Sequence, residues 1–406
     1  MLTYKQALQQ VVATIKPLPP VELPLTAANG LVLSAPLAAR WDMPRWDNSA
    51  MDGFAFAAAS AVVAAGLKIV GRSFAGHPFG DRLRSGEAIQ ITTGAPLPPG
   101  ADTVVPVEDT IVEGEQLLLQ TTIRKGQHVR YRGEEYRAGE ELLAQGVRLT
   151  AGGVGLLAGA GIEQVRVFPR PRVAIFSTGD ELVELGQQPG PGQIVNSNLQ
   201  YLVARLHECD CIPVPLGIGE DHCDDLDRIL DRTGETDLLL TTGGVSVGEK
   251  DLVKQTLLRR GFEQKFWKVA IKPGKPVLFG TLDGKPCFGL PGNPAATAAT
   301  FELFVRPALS LLAGAGDSGS TRRIARLSNA VKIAGSRQLL LWCRCSWTDD
   351  GYRVEVPRRQ DSGQARSIQG ANALLPVPIG SSTLPAGAEV EIILLRLPCA
   401  QAAHRP

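Results

Sequence analysis

The sequence predicts a multidomain α/β and β protein with a doubly wound parallel sheet at its centre. Three observations lead there. The chain has 406 residues, enough for about two to four domains. Between Arg172 and Leu312, short apolar runs alternate with helix-periodic segments, the pattern of a parallel sheet covered by helices. On either side the chain reads as short β segments broken by turns, and with 44 Gly and 29 Pro it is rich in turn residues.

The elements follow in order. Thr3 can cap a helix whose apolar positions Leu8, Val11, Val12 and Ile15 share one face, and Pro17, Pro19 and Pro20 stop it. From about Gly53 to Gly146 runs a β-rich module, with strands expected at Leu67–Val70, Ala88–Thr92, Thr103–Val107 and Gln116–Thr122. Thr150 can cap a second helix through Ala160, and Pro169 and Pro171 mark a boundary. The α/β part then predicts strands at Val173–Ser177, Ile212–Leu216, Asp237–Thr241, Phe266–Ile271, Val277–Gly280 and Pro286–Leu290. Helices are expected near Ser197–Leu206, Asp224–Leu230, Leu252–Arg259 and Ala295–Leu312. Gly314–Gly319 reads as a linker, and only strand patterns follow, as in a small barrel or sandwich.

Composition removes several function classes. Lys and Arg number 42 against 41 Asp and Glu, so the whole chain has no pull toward nucleic acid or an anionic membrane. Aromatics are only 5%, too few for a single-strand stacking platform. Seven Cys without a C-x-x-C, and scattered His, predict reduced thiols and no zinc site. The N-terminus lacks the apolar core of a signal peptide, and the longest apolar run, Thr150–Ile162, falls short of the roughly 20 residues of a membrane span. The expectation is a cytoplasmic protein with neither nucleic-acid nor membrane partners.

The chemistry gathers at strand ends, where open α/β sheets bind ligands. Ser177-Thr178-Gly179-Asp180-Glu181 follows the first strand and pairs a turn of backbone N–H groups with carboxylates. Thr241-Thr242-Gly243-Gly244-Val245-Ser246 runs on to Asp251 at a helix start, like a phosphate-binding loop that is not a Walker A loop. Leu290-Pro291-Gly292-Asn293-Pro294 offers a cap residue and a proline suited to a first helical position. Lys268, Lys272 and Lys275 suit a phosphate or oxyanion, and on an extended segment Lys268 and Lys272 point to one side. Gly153-Val154-Gly155-Leu156-Leu157-Ala158 fits a dinucleotide fingerprint but lies in a helical pattern with no strand before it, so that reading fails.

Six segments occur together in one order: Asp47–Gly53, Thr93–Ala95, Ser177–Leu182, Gly243–Gly248, Lys272–Pro276 and Leu290–Pro294. With them the chain closely resembles the MoeA-type molybdopterin molybdenumtransferases over nearly its whole length. The resemblance implies an elongated dimerising domain from 1–47 and 147–171, an inserted β-rich domain 48–146, a molybdopterin-binding α/β domain 172–316 and a C-terminal β-barrel domain 317–406. It implies that molybdate is inserted into adenylylated molybdopterin with release of AMP, with Mg²⁺ required. It also implies a homodimer whose site lies between the α/β domain of one subunit and the second domain of its partner. A molybdopterin adenylyltransferase and apo-molybdoenzymes are the further partners to expect.

Carried over by position, the resemblance makes Asp52, Glu181, Asp221, Asp251 and Thr93 the catalytic set, with Glu181, Asp221 and Asp251 as Mg²⁺ ligands. Substrate binding falls to Ser49, Ser177, Thr178, Gly179, Gly243, Gly244, Ser246, Lys268, Lys272, Lys275, Pro291, Gly292, Asn293, Pro294, Arg344 and Ser362. Two departures stand out: Glu220-Asp221-His222 where the family shows an Asp pair, and Glu135 where it shows Asp. The alternatives are the molybdopterin adenylylation step and a degenerate regulatory or scaffold protein. The acids retained at Asp52, Glu181 and Asp251 favour catalysis over the latter.

Overall fold

The computed structural model describes residues 1–61, 66–220, 222–244, 252–316, 321–333, 336–358, 360, 363, 365–377, 379–380 and 383–398. Helix α1 (Tyr4–Thr14) starts at a capping box: Thr3 Oγ1 accepts from the Gln6 N–H, and the Gln6 side chain accepts from the Thr3 N–H at 2.9 Å. Its buried face is Tyr4, Ala7 and Val11, while Val12, expected inside, is 42% exposed. That face packs into the α/β core, where the Tyr4 ring meets Phe304 edge-on at 5.8 Å, and the same core reaches Trp342 of the C-terminal module. The sequence groups residues 1–47 with the elongated module, and the buried face of α1 packs against the α/β core.

After α1, the chain forms a small antiparallel sheet, with Val21–Pro24 and Val32–Leu33 both pairing Gln164–Phe168. Two distant stretches thus build one unit, over a core shared with helix α2 (Ala151–Gly159). Thr150 caps α2 by accepting from the Gly153 N–H at 3.4 Å. The chain between them forms a six-stranded sheet of its own, with Gly53–Phe56 between Thr103–Pro106 and Glu87–Ile91.

The central sheet uses β1 (Arg172–Thr178), β2 (Ile212–Gly219), β3 (Leu238–Thr242), β4 (Glu263–Trp267), β5 (Leu278–Leu282) and β6 (Lys285–Leu290) in the order β2-β1-β3-β6-β5-β4. The pairs β1–β2, β1–β3 and β3–β6 are parallel, and β5 alone runs against its neighbours. The carboxyl ends of β1, β3, β6 and β4 therefore share one edge. Helices α3 (Ser197–Glu208), α4 (Cys223–Asp231) and α5 (Leu252–Arg259) belong to this module. β1 and β3 bury both faces, as parallel strands do: Val173 and Ile175 point into one core, Ala174 and Phe176 into the other.

The long helix expected at Ala295–Leu312 is interrupted. It runs as α6 (Pro294–Thr300), a π turn at Phe301–Val305 and α7 (Arg306–Leu312). The π turn places Glu302 inside, 1% exposed and bonded to Arg205 of α3 at 2.8 Å. This span is long and apolar enough to cross a membrane but is 83% buried within the fold.

The second correction concerns Phe266–Ile271, expected as one strand. β4 stops at Trp267, Lys268 takes a left-handed φ of +69°, and Ile271–Lys272 pairs with the C-terminal module instead. Lys268 and Lys272 are therefore not on one extended segment. In the C-terminal module, β7 (Thr321–Leu327), β8 (Gln338–Thr348), β9 (Gly351–Glu355), β10 (Ala373–Val377) and β11 (Glu389–Leu394) close into a five-stranded barrel, because β8 pairs both β9 and β10.

Candidate functional site

The first half of the site lies in the inserted module. Asp52 is exposed, and one of its oxygens accepts from both the backbone N–H and the hydroxyl of Thr93, at 2.7 and 2.9 Å. These two bonds, the backbone one foremost, hold its carboxyl below the usual range. The loops are zipped together: Ser49 N–H donates to Ala95 O at 3.0 Å, and Gly94 N–H to Ser49 O at 2.8 Å. Gly53 follows because nothing larger fits, since a Cβ there would lie 1.9 Å from Val105 O. Ser49 is fully buried, and its hydroxyl bonds the Met51 carbonyl and N–H. It shapes the turn that presents Asp52.

The second half sits at the carboxyl edge of the central sheet. Here the structure brings together three of the loops singled out in the sequence. Gly243 has φ +90°, and a Cβ there would meet Thr178 O at 2.2 Å and leave no room. Gly292 approaches Gly243 from the other side, its Cβ position 3.7 Å from the Gly243 Cα. Asn198, in the first turn of α3, ties the loops by donating to Thr242 Oγ1 at 3.0 Å and to Gly292 O at 2.7 Å. The sequence reading missed Asn198; the Asn-Ser-Asn run that opens α3 was the available signal.

The Pro291 carbonyl accepts from the hydroxyls of Thr242, at 3.1 Å, and Thr297. This fixes the loop so that Gly292 and Asn293 are exposed, with Pro294 starting α6. Ser177 is buried and donates to Asn196 Oδ1 at 2.9 Å, which ties the end of β1 to the residue that caps α3. Thr178 Oγ1 is buried with no partner among the described residues, and it lies 2.8 Å from the Cβ position of Gly244.

The carboxylate of Glu181 folds back over Gly179, with an oxygen 2.5 Å from where a Cβ on Gly179 would sit. Glu181 is exposed, and all its donors are hard oxygen, the type that suits Mg²⁺. Asp221, Ser246, Asp251 and Ser362 lie outside the described residues. Among the described residues no group of three or more His, Cys, Asp or Glu is placed to hold a metal.

The lysine-bearing loop packs beside α6. Gly274, at φ +106°, would clash at 2.6 Å with Thr300 Cγ2 if it carried a Cβ. Lys272 is exposed and Lys275 half-buried. Arg344 is exposed on β8, opposite Glu355 of β9.

A doubly wound sheet with Gly-lined loops at its carboxyl edge, two flanking β modules and a barrel defines a class of multidomain protein whose α/β domain offers a ligand site beyond its strand ends. Family models match nearly the whole chain: the MoeA N-terminal region (domain I and II) at residues 2–161, the "Probable molybdopterin binding domain" at 174–311 and the MoeA C-terminal region (domain IV) at 324–395. The chain is 36% identical to a molybdopterin molybdenumtransferase from Nostoc, across 92% of this chain and 88% of that one. It is 31% identical to one from Staphylococcus aureus, across 96% and 94%. The crystal structure of a molybdopterin biosynthesis MoeA protein from Pyrococcus horikoshii superposes with a TM-score of 0.84 at 29% identity, covering 98% of this chain and 99% of that one. The chain belongs to the MoeA family of molybdopterin molybdenumtransferases.

Proposed function

We propose that the protein inserts molybdenum from molybdate into adenylylated molybdopterin and releases AMP. The convergence of Thr178–Glu181, Thr242–Gly244 and Pro291–Pro294 on one sheet edge carries this reading, in a chain of this family. The glycines let backbone N–H groups approach phosphate oxygens, which a side chain would hold away. Lys268, Lys272 and Lys275 offset the charge of phosphoanhydride and molybdate. The bond that breaks is the phosphoanhydride: water attacks the adenylyl phosphorus, the molybdopterin phosphate leaves, and AMP is released. Asp52, held ionised by Thr93, orients that water and accepts its proton. Glu181, with Asp221 and Asp251, would hold Mg²⁺, which when bound neutralises phosphate charge.

Asp52 and Glu181 sit on separate modules, and a homodimer that sets one chain's Asp52–Thr93 loop against its partner's sheet edge would complete the site. The reading places the enzyme in the cytoplasm, between a molybdopterin adenylyltransferase that supplies its substrate and apo-molybdoenzymes that take its product. The test is AMP release from adenylylated molybdopterin with Mg²⁺, with and without molybdate. Molybdate-dependent release, with product that reconstitutes an apo-molybdoenzyme, is expected. Tight binding without AMP release would overturn the proposal.

A further inference from the structure

Lys254 and Lys268 each bring the ammonium nitrogen to 3.7 Å from the centre of the Trp267 ring. They come from different elements, Lys254 from the first turn of α5 and Lys268 from the bend after β4. The two charges are thus no farther apart than twice that distance. Among the described residues neither has a carboxylate within 4.0 Å. Each is also held at a cost. A cation in the first turn of a helix opposes the helix dipole. Lys268 occupies left-handed backbone at φ +69°, which residues with a Cβ seldom adopt. The ring face attracts each ammonium but does not neutralise the pair. An anion that contacts both ammonium groups would.

The place fits an anion from the substrate. β4 runs parallel to β6, so Trp267 ends at the carboxyl edge, in the register row Trp267–Leu278–Gly289–Thr241–Phe176. Val253, one residue before Lys254, comes within 2.5 Å of the Cβ position of Gly244 and so closes the Gly243-Gly244 turn. We infer that Lys254 and Lys268 form a phosphate clamp, with Trp267 as the positioning residue that sets their spacing. The clamp's ligand is a phosphate or phosphoanhydride group, and its assignment to the adenylyl end of the substrate rests on the proposed function. Nothing in the sequence pattern singles out Lys254; only the fold brings it to the ring of Trp267.

The test measures Kd for AMP and for inorganic pyrophosphate by calorimetry on the full chain, with KM and kcat for AMP release. Lys254→Met should weaken both ligands about tenfold or more and raise KM more than it lowers kcat, with the melting temperature unchanged. Lys254→Arg should restore most of the loss. Trp267→Leu should weaken binding in the wild-type background and add nothing in the Lys254→Met/Lys268→Met background, the non-additivity expected of a residue that acts through the lysines. Unchanged Kd values in Lys254→Met, or a full additional loss from Trp267→Leu in the double variant, would overturn the clamp. Pyrophosphate keeps the two readings apart. If wild type releases no AMP but loses pyrophosphate affinity with Lys254→Met, the functional proposal fails and the clamp stands.

Discussion

Thr93 gives both its backbone N–H and its hydroxyl to a single oxygen of Asp52, at 2.7 and 2.9 Å. Both bonds favour the carboxylate form, so its carboxyl is held down. A depressed folded-state value means that whatever this pair adds to stability is present at neutral pH and is lost as pH falls through the folded value.

Thr93→Val keeps the N–H and removes the hydroxyl. The Asp52 carboxyl should then titrate at higher pH, toward the ordinary value of about 4. Carboxyl-detected NMR titration of wild type and variant measures this directly. A titration midpoint that does not move would show that the backbone bond alone sets the charge. Asp52→Asn should lower AMP release by about a hundredfold or more without changing the melting temperature, because the side chain is exposed.

Gly243 and Gly292 separate folding from ligand approach. Gly243→Ala combines positive φ with a 2.2 Å contact on Thr178 O, a backbone atom that cannot step aside. The left-handed conformation alone costs about 1–2 kcal/mol, so thermal unfolding should move down clearly. Gly292→Ala meets only an ordinary 3.7 Å contact, and its melting temperature should hold. If Gly292→Ala nevertheless loses substrate affinity, the space over that residue belongs to the ligand. Full activity in Gly292→Ala would remove it from the binding surface.

Arg205 and Glu302 form a charge pair inside the core, 6% and 1% exposed on their side chains, with Arg306 also on Glu302 at 3.4 Å. The Glu302 charge raises the affinity of Arg205 for its proton against the opposing effect of burial. Arg205→Met leaves the buried carboxylate with Arg306 alone and should destabilise the protein by up to about 3–5 kcal/mol in chemical denaturation. Replacing both with Met and Leu should recover most of that loss, since the two most deeply buried charges are removed together and only the less buried Arg306 loses a partner. A single variant as stable as wild type would show that water reaches the pair.

The parallel sheet was legible because β1, β3 and β6 are apolar on both faces and each runs into a glycine-containing turn, a strictly local pattern. The β barrel was legible as a class, and its closure is a matter of register between β8 and β10. What the pattern did not reveal depends on partners far along the chain. Helix α1 looked like the start of the first module, yet its Tyr4–Val11 face meets Phe304, some three hundred positions later. Glu302 lies in an apolar helical run and draws a π turn because Arg205 waits opposite. The strand after Phe266 breaks at Lys268, which no propensity requires. Ser49 and Ser177 sit inside recognisable motifs, but their hydroxyls are occupied by Met51 and Asn196. A motif marks where a stretch of chain matters, and only the fold shows which partners inside the protein its side chains take.

Asp52 and Glu181 give the sharpest test of how the site is assembled. Both are exposed, so Asp52→Asn and Glu181→Gln should fold as wild type and each should abolish most AMP release. If one subunit supplies Asp52 and its partner supplies Glu181, a mixed dimer of the two variants contains one site with both lesions and one with neither. Random exchange between equal amounts then restores about a quarter of wild-type sites, while either variant alone stays inactive. If a single chain supplies both residues, every site in the mixture carries one lesion and nothing is regained. Subunit exchange followed by AMP-release assay distinguishes the two arrangements, and recovery that rises with exchange time rather than with protein concentration would tie it to the dimer.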